Sequence, residues 1–178
     1  VLQGQHGGAT ARPFHTHHNA LDRDMALRIA LELYLKRLLI GGVDKVYEIG
    51  RVFRNEGISR KHNPEFTMLE TYEAYADYRD VMAMVEALVS TVALNVLGTM
   101  VITVDGKDVD LTPPWPRRSL RQAILDESGI DYALHPTLEA LEGAVRAAGL
   151  RVEPQKTRAQ LIDQLLSTFV EPKIVNPI

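Results

Sequence analysis

Two segments of alternating polarity, residues 45–54 and 65–75, constrain the fold of this chain more than any other feature. A polar run, Asn55–Pro64, separates them. Alternation with a period of two, interrupted by a polar loop, predicts two strands joined as a hairpin. Successive side chains of a strand point to opposite faces, so the even-numbered residues should share one face.

The even-numbered face of this hairpin has an unusual chemical composition. A purely structural hairpin would have aliphatic residues on one face and charged residues on the other. Here the odd-numbered face of the second strand mixes polar and apolar residues, so neither face of the hairpin is a simple aliphatic core. Arginine suits a phosphate, an aromatic ring suits a base, and a carboxylate suits an amine, so the face suits a nucleotide. The residues concerned are Arg54, which ends the even row of the first strand, Glu56 just beyond it, and Phe66, Met68, Glu70, Tyr72 and Ala74 of the second strand.

Helices are predicted on both sides of the hairpin. One begins at Leu31 and stops at Gly41-Gly42. A longer helix is capped by Asp77 and ends at Gly98, and Asp105-Gly106 then predicts a short hairpin turn. The apolar residues of the longer helix recur at helical spacing and predict a buried stripe, made of Val81, Val85, Leu88, Val89, Val92 and Val96.

The run Thr112–Pro116 contains three prolines and marks an internal boundary. Three short amphipathic helices should follow, with Ser119, Thr137 and Thr157 as their N-caps. The last residues, Lys173–Val175, are expected to be extended.

Composition narrows the possible function classes. The chain has 178 residues, no cysteine and a net charge of −3, which excludes disulfides and thiolate sites and argues against a DNA-coating protein. No window approaches eighteen consecutive apolar residues, so we expect no membrane span, and no signal peptide is visible. The absence of an initial Met and the ending at Ile178 suggest a part of a larger protein.

The hairpin sequence resembles a known family. Arg51-Val52-Phe53-Arg54-Asn55-Glu56, a loop, and then His62-Asn63-Pro64-Glu65-Phe66-Thr67-Met68-Leu69-Glu70 is similar to motif 2 of class II aminoacyl-tRNA synthetases, subclass IIb, in the form found in lysyl-tRNA synthetases. The flanks agree, and the strong match runs from about Gly7 to Tyr78.

The resemblance implies a role for each matching residue. Arg54 would be catalytic, contacting the ATP α-phosphate and stabilising the charge that develops there. ATP would be bound by Arg54, Glu56, His62, Asn63 and Phe66. L-lysine would be bound by Gly8, Glu32, Glu70 and Tyr72, and a substrate with two ammonium groups does need carboxylates at both ends.

Two departures from the family pattern stand out. The family usually has proline before the glutamate at position 32, where this chain has Leu31. The glycine-rich motif 3, a complete motif 1 and the anticodon-binding domain are not found. Mg²⁺ is implied as a cofactor, but the acidic residues that would hold it are expected outside this chain.

The resemblance implies an α+β fold, in which helices flank the antiparallel sheet of a class II catalytic domain that carries a small helical insertion. We expect residues 1–111 to belong to that catalytic domain, 112–169 to form the insertion and 170–178 to return into the sheet. The parent would be a cytoplasmic, homodimeric enzyme that uses ATP, L-lysine and tRNA(Lys), without membrane or DNA partners. The isolated fragment should be inactive.

Two alternatives to a tRNA synthetase remain open. One is a related enzyme that lysylates a protein such as elongation factor P. The other is a non-catalytic module that has kept the nucleotide and amino-acid pocket. An anticodon-binding domain upstream and motif 3 downstream would select the tRNA enzyme over both.

Overall fold

A computed structural model describes residues 1–59 and 62–178 of the chain. It combines helices with antiparallel strand pairs, so the expected α+β class is confirmed. The chain forms two compact units, Val1–Tyr78 and Arg79–Ile178.

Within residues 1–59 and 62–78, the first unit contains five strands, one α-helix and a short 3₁₀ helix, Asn19–Leu21. The longer elements are β1 (Leu2–Gln3), β2 (His15–His18), β3 (Arg23–Leu27), α1 (Glu32–Ile40), β4 (Lys45–Phe53) and β5 (Glu65–Glu73). A three-stranded antiparallel sheet has β3 between β1 and β2, and β4 pairs with β5 as the expected hairpin.

Helix α1 covers the even-numbered face of the β4–β5 hairpin. Leu31 and Leu35 are buried against Val52, and Val46, Phe66, Met68 and Tyr72 pack around this cluster. The helix ends at Ile40, and Gly42 has a φ of 95°, a left-handed conformation that favours glycine. The glycine pair therefore stops the helix as the sequence predicts.

The second unit begins with most of a long helix, α2 (Tyr78–Leu97), followed by a hairpin of β6 (Val101–Val104) and β7 (Lys107–Asp110). Gly98, directly after the helix, has a φ of 72°. In length and composition α2 would also be able to cross a membrane, but core helices of soluble proteins pass the same test, so this is weak evidence.

The prediction that α2 buries its apolar stripe is wrong. Five of its six residues are exposed, and Val89 is half-buried; the buried residues are Glu86, Ser90 and Ala93. The reason is a set of polar contacts with the segment after β7. Ser90 Oγ donates to the carbonyl of Leu111 (3.1 Å), and Glu86 accepts from the Trp115 amide (2.9 Å). The exposed residues of the stripe are Val81, Val85, Leu88, Val92 and Val96.

Three further helices of this unit pack around one apolar core. They are α3 (Leu120–Ser128), α4 (Leu138–Ala147) and α5 (Arg158–Leu165). Each begins at the residue that the sequence predicts, because the hydroxyls of Ser119, Thr137 and Thr157 accept hydrogen bonds from the backbone amide three residues later. The core residues are Ala123, Ile124, Ile130, Leu141, Val145, Leu161, Leu165 and Val170.

The end of the chain is only partly as expected. Lys173 belongs to a 3₁₀ helix, Glu171–Lys173, whose turn is closed by the Ile174 amide donating to the Glu171 carbonyl (3.1 Å). Ile174 itself is extended. The division into residues 1–111, 112–169 and 170–178 stays a prediction.

Candidate active site

The register of the β4–β5 hairpin sets which side chains can act together. Glu48 lies opposite Glu70 and Val46 lies opposite Tyr72. Even-numbered residues of β5 are half-buried and odd-numbered residues are exposed, so the predicted alternation is confirmed. Glu48 is neutralised by Arg28 (2.5 Å), which leaves the negative charge of Glu70 for other partners.

The residues expected to bind ATP line one cleft at the end of this hairpin. Its volume is about 580 Å³. All five expected residues line it, together with Gly57, Ile58, Ser59 and Pro64; the five are Arg54, Glu56, His62, Asn63 and Phe66. The structure therefore brings these five side chains together.

Arg54 is held from two directions in this cleft. Its Nε donates to the carbonyl of Ile29 (3.3 Å), and its guanidinium lies 5.2 Å from the centroid of the Phe66 ring. The Arg54 amide also donates to the Pro64 carbonyl (2.8 Å). A guanidinium carries five N–H donors, and Nε supplies one, so the terminal nitrogens retain the geometry needed for a phosphate.

A second cleft of about 740 Å³ adjoins Glu56. Its lining includes His6, Thr10 and Arg12 from the segment between β1 and β2, and the Asn55 amide donates to the Arg12 carbonyl (2.7 Å). Glu56 is therefore accessible from both clefts.

The residues expected to bind lysine form a separate cluster between α1 and β5. Glu70 Oε2 accepts from the Tyr72 hydroxyl (2.8 Å), and Glu70 Oε1 accepts from the Leu31 amide (2.9 Å). Gly8, with a φ of 88°, lies so close to Glu32 that a Cβ there would be 2.9 Å from the Glu32 Cβ. All four expected residues thus meet around the start of α1.

Tyr72 keeps its proton in this cluster. Burial raises the pKa of its hydroxyl above the ordinary range, and the hydrogen bond to Glu70 and the charges of Glu70 and Glu32 raise it further. The hydroxyl is therefore a hydrogen-bond donor at physiological pH. Together the phenol and the two carboxylates make a site that favours a cation.

A comparison with known proteins decides the family. A family model described as class II tRNA synthetases (D, K and N) matches residues 1–162. The chain belongs to this family.

Two similar class II synthetases are both named as lysine–tRNA ligases. A "Lysine--tRNA ligase" of Dehalococcoides mccartyi (strain ATCC BAA-2266 / KCTC 15142 / 195) is 53% identical over 177 residues, which is 99% of this chain and 36% of the relative. A "Lysine--tRNA ligase" of Moorella thermoacetica (strain ATCC 39073 / JCM 9320) is 56% identical over 171 residues, or 96% of this chain and 35% of the relative. The chain therefore spans about a third of the length of these curated relatives.

Three groups of this class II synthetase chain contribute to the site without having been predicted. They are the Leu31 amide, the Lys36 ammonium and the Arg28 guanidinium. Lys36 lies one helical turn after Glu32, so its spacing was a signal for an i, i+4 pair. A backbone amide carries no sequence signal, and the contact from Arg28 to Glu48 spans twenty residues.

The described residues of this synthetase chain do not form a magnesium site. Among residues 1–59 and 62–178, no three or more His, Asp or Glu side chains come together as metal ligands.

Proposed function

We propose that the protein to which this chain belongs activates L-lysine with ATP and transfers the lysyl group to tRNA(Lys). The observation that carries the proposal is the pairing of two sites on one hairpin. An arginine-containing cleft lies at the end of β4–β5, and a cation-binding cluster lies further along β5. The similarity to lysine–tRNA ligases supports the same substrates.

In the first half-reaction, a lysine carboxylate oxygen attacks the α-phosphorus of ATP. The bond from that phosphorus to the pyrophosphate oxygen breaks, and lysyl-adenylate and pyrophosphate form. Arg54 would stabilise the negative charge that develops at the α-phosphate, a fixed electrostatic contribution that needs no proton transfer. Its contacts with Ile29 and Phe66 would keep it oriented before ATP arrives.

The remaining cleft residues would hold the nucleotide. The Glu56 carboxylate would accept a hydrogen bond from the adenine amino group, and Phe66 would lie against the base. His62, whose Nδ1 is 2.8 Å from Ser59 Oγ, and Asn63 would contact the triphosphate or the base. Phe66 lines the cleft beside Arg54, and the base would lie against the part of its ring that faces the cleft.

Lysine would be recognised at both of its amino groups. Glu70 and Tyr72 would receive the ε-ammonium, and Glu32 with the Gly8 backbone would receive the α-ammonium. An ammonium removed from water needs a paired carboxylate, so Glu70 would discriminate lysine from amino acids of similar length with uncharged side chains, whereas Glu32 would pair with the α-ammonium that all of them share.

In the second half-reaction, a hydroxyl at the tRNA 3′ end attacks the carbonyl carbon of lysyl-adenylate, and AMP leaves. The domain division is also part of the proposal. Residues 1–111 and 170–178 would belong to the catalytic domain, and residues 112–169 would form a helical insertion. We also propose a cytoplasmic homodimer whose Mg²⁺ ligands lie outside this chain.

The proposal is tested with the complete parent protein. We expect pyrophosphate exchange that requires L-lysine and is absent with norleucine, which has no ε-amine. Charging of tRNA(Lys) should follow. Equal exchange with norleucine, or transfer to elongation factor P in place of tRNA, would contradict the proposed function.

A further inference from the structure

In the loop between β4 and β5, backbone hydrogen bonds join Ser59 to His62. The Ser59 amide donates to the His62 carbonyl (3.1 Å), and the His62 amide donates to the Ser59 carbonyl (3.3 Å). The two residues therefore form an isolated antiparallel bridge. This bridge is made by the backbone, so it does not depend on either side chain.

A third contact joins the side chains of the same two residues. Ser59 Oγ lies 2.8 Å from His62 Nδ1, which is within hydrogen-bond distance. Both residues line the cleft that also contains Arg54 and Phe66. Because Ser59 and His62 are exposed, a polar contact and not core packing orients the imidazole ring in this cleft.

The partner of one imidazole nitrogen decides what the other nitrogen can do. In a neutral ring one nitrogen carries the proton and the other accepts a hydrogen bond, whereas both carry a proton in the charged ring. A serine hydroxyl both donates and accepts, so it can bind Nδ1 in either charge state. When it donates to Nδ1 of the neutral ring, or accepts from Nδ1 of the charged ring, Nε2 carries a proton and is a donor.

We propose that Ser59 is a positioning residue for ATP binding: its hydroxyl holds Nδ1 of His62, so that the ring presents an Nε2–H donor to the nucleotide. Triphosphate oxygens and the ring nitrogens of a base both accept hydrogen bonds, so this donor fits either partner assigned to His62. Preorganisation of this kind increases affinity because the ring does not have to be ordered when the ligand binds. This inference rests on the proposed function, which assigns ATP to this cleft.

Ser59→Ala provides a sharp test, because it removes the hydroxyl and leaves the backbone bridge to His62 in place. Ser59 is exposed, so the change creates no buried cavity and the variant should fold as the wild type does. Ser59→Thr is the matched control, since it keeps a hydroxyl on the same Cβ atom. Dissociation constants for ATP and L-lysine are measured by calorimetry on the complete parent protein.

We expect Ser59→Ala to weaken ATP binding by about twofold to tenfold, the loss expected for one hydrogen bond of ordinary strength. Ser59→Thr should keep most of the wild-type affinity for ATP. Lysine affinity should hardly change in either variant, because Glu70 and Tyr72 lie further along β5. Equal ATP affinity in Ser59→Ala and the wild type, or equal losses in the alanine and threonine variants, would overturn the inference.

A double-mutant cycle tests whether the hydroxyl acts through the imidazole ring. His62→Ala removes the ring, so the effect of Ser59→Ala on ATP affinity should disappear in that background. An effect of unchanged size there would mean that Ser59 acts on ATP or on the loop without His62, and it would overturn the positioning role.

The position of the ring proton gives a readout that a merely structural role of Ser59 would not change. Nitrogen NMR distinguishes protonated from unprotonated imidazole nitrogens, and His62→Ala identifies the His62 signals. Nε2 should be protonated in the wild type, whereas the neutral ring of Ser59→Ala should exchange between both tautomers. An unprotonated Nε2 in the wild type would overturn the inference.

The binding data separate failure of the inference from failure of the proposed function. If the wild-type parent binds no ATP, the proposed function fails, and the inference fails with it. If the wild type binds ATP and Ser59→Ala binds it equally well, only the inference fails.

Discussion

The Lys36 ammonium donates to Glu32 Oε1 at 2.5 Å. The same ammonium lies 5.9 Å from the centroid of the Tyr72 ring. A cation of the protein itself therefore contacts two of the four residues assigned to the lysine substrate. It would therefore compete with the proposed lysine substrate for Glu32.

Lys36→Met should tighten lysine binding. The Lys36 and Glu32 side chains are 53% and 28% exposed, and exposed ion pairs contribute about 0.2–1 kcal/mol, so affinity should increase by at most about fivefold. Calorimetry at low and high salt checks this, and the difference between variants should shrink at high salt. Weaker lysine binding would mean that Lys36 instead assists the substrate, for example at its carboxylate.

Glu70→Gln should weaken lysine binding by about 1.5–3 kcal/mol, because a buried ammonium loses its charged partner. ATP affinity should hardly change. Glu73→Gln is the matched control, since Glu73 lies on the same strand but on its exposed face, paired with Lys45. Equal losses for lysine and ATP would make Glu70 a structural residue.

Arg54→Ala should lower the rate of adenylate formation by about two to three orders of magnitude, with a smaller effect on lysine affinity. The charge that Arg54 meets develops during the reaction, so the rate should suffer more than binding. Arg51→Ala, at an exposed position of the same strand, is the control. Pyrophosphate exchange by the complete protein measures both, and a near-normal rate in Arg54→Ala would refute the assigned role.

Tyr72 should make stability depend on alkaline pH. Burial, Glu70 and Glu32 raise the pKa of its hydroxyl in the folded protein. Below the ordinary tyrosine pKa of about 10, both states are protonated and the full stabilisation is present; above it, the unfolded state loses its proton first. Stability should therefore decline as the pH rises toward the folded-state pKa.

Urea unfolding of wild type and Tyr72→Phe between about pH 8 and pH 11 checks this expectation. The difference in unfolding free energy between the two proteins should be constant at the lower end and shrink at the upper end. Tyr47→Phe is the control, because Tyr47 is 71% exposed on the other face of the hairpin. A difference that does not change with pH would contradict the expectation.

The isolated 178 residues should show no lysine-dependent pyrophosphate exchange. In the fragment, only the side of the β4–β5 hairpin with Arg54 would stabilise the charge of ATP. We therefore expect that ATP is not held in the geometry needed for in-line attack. Exposed apolar residues, among them Val92 of α2 and Ile49 of β4, should also make the fragment poorly soluble. Robust pyrophosphate exchange by the purified fragment would show that the residues of this chain suffice to activate lysine.

The sequence predicted the elements that depend on short-range physics. Alternation fixed the two faces of β4 and β5, and the hydroxyls of Ser119, Thr137 and Thr157 fixed three helix starts. The motif around Arg54 also pointed to the family, which the match over residues 1–162 confirmed. Each of these features is decided by residues a few positions apart.

Tertiary structure alone decided which groups meet across long separations. The apolar stripe of α2 is visible in the sequence, but burial of Glu86 depends on Trp115 and Arg117, about thirty residues further on. The Leu31 amide meets Glu70 because α1 packs on the hairpin, thirty-nine residues away in the chain. Periodicity defines a face, but only packing determines what contacts that face and where a backbone donor points.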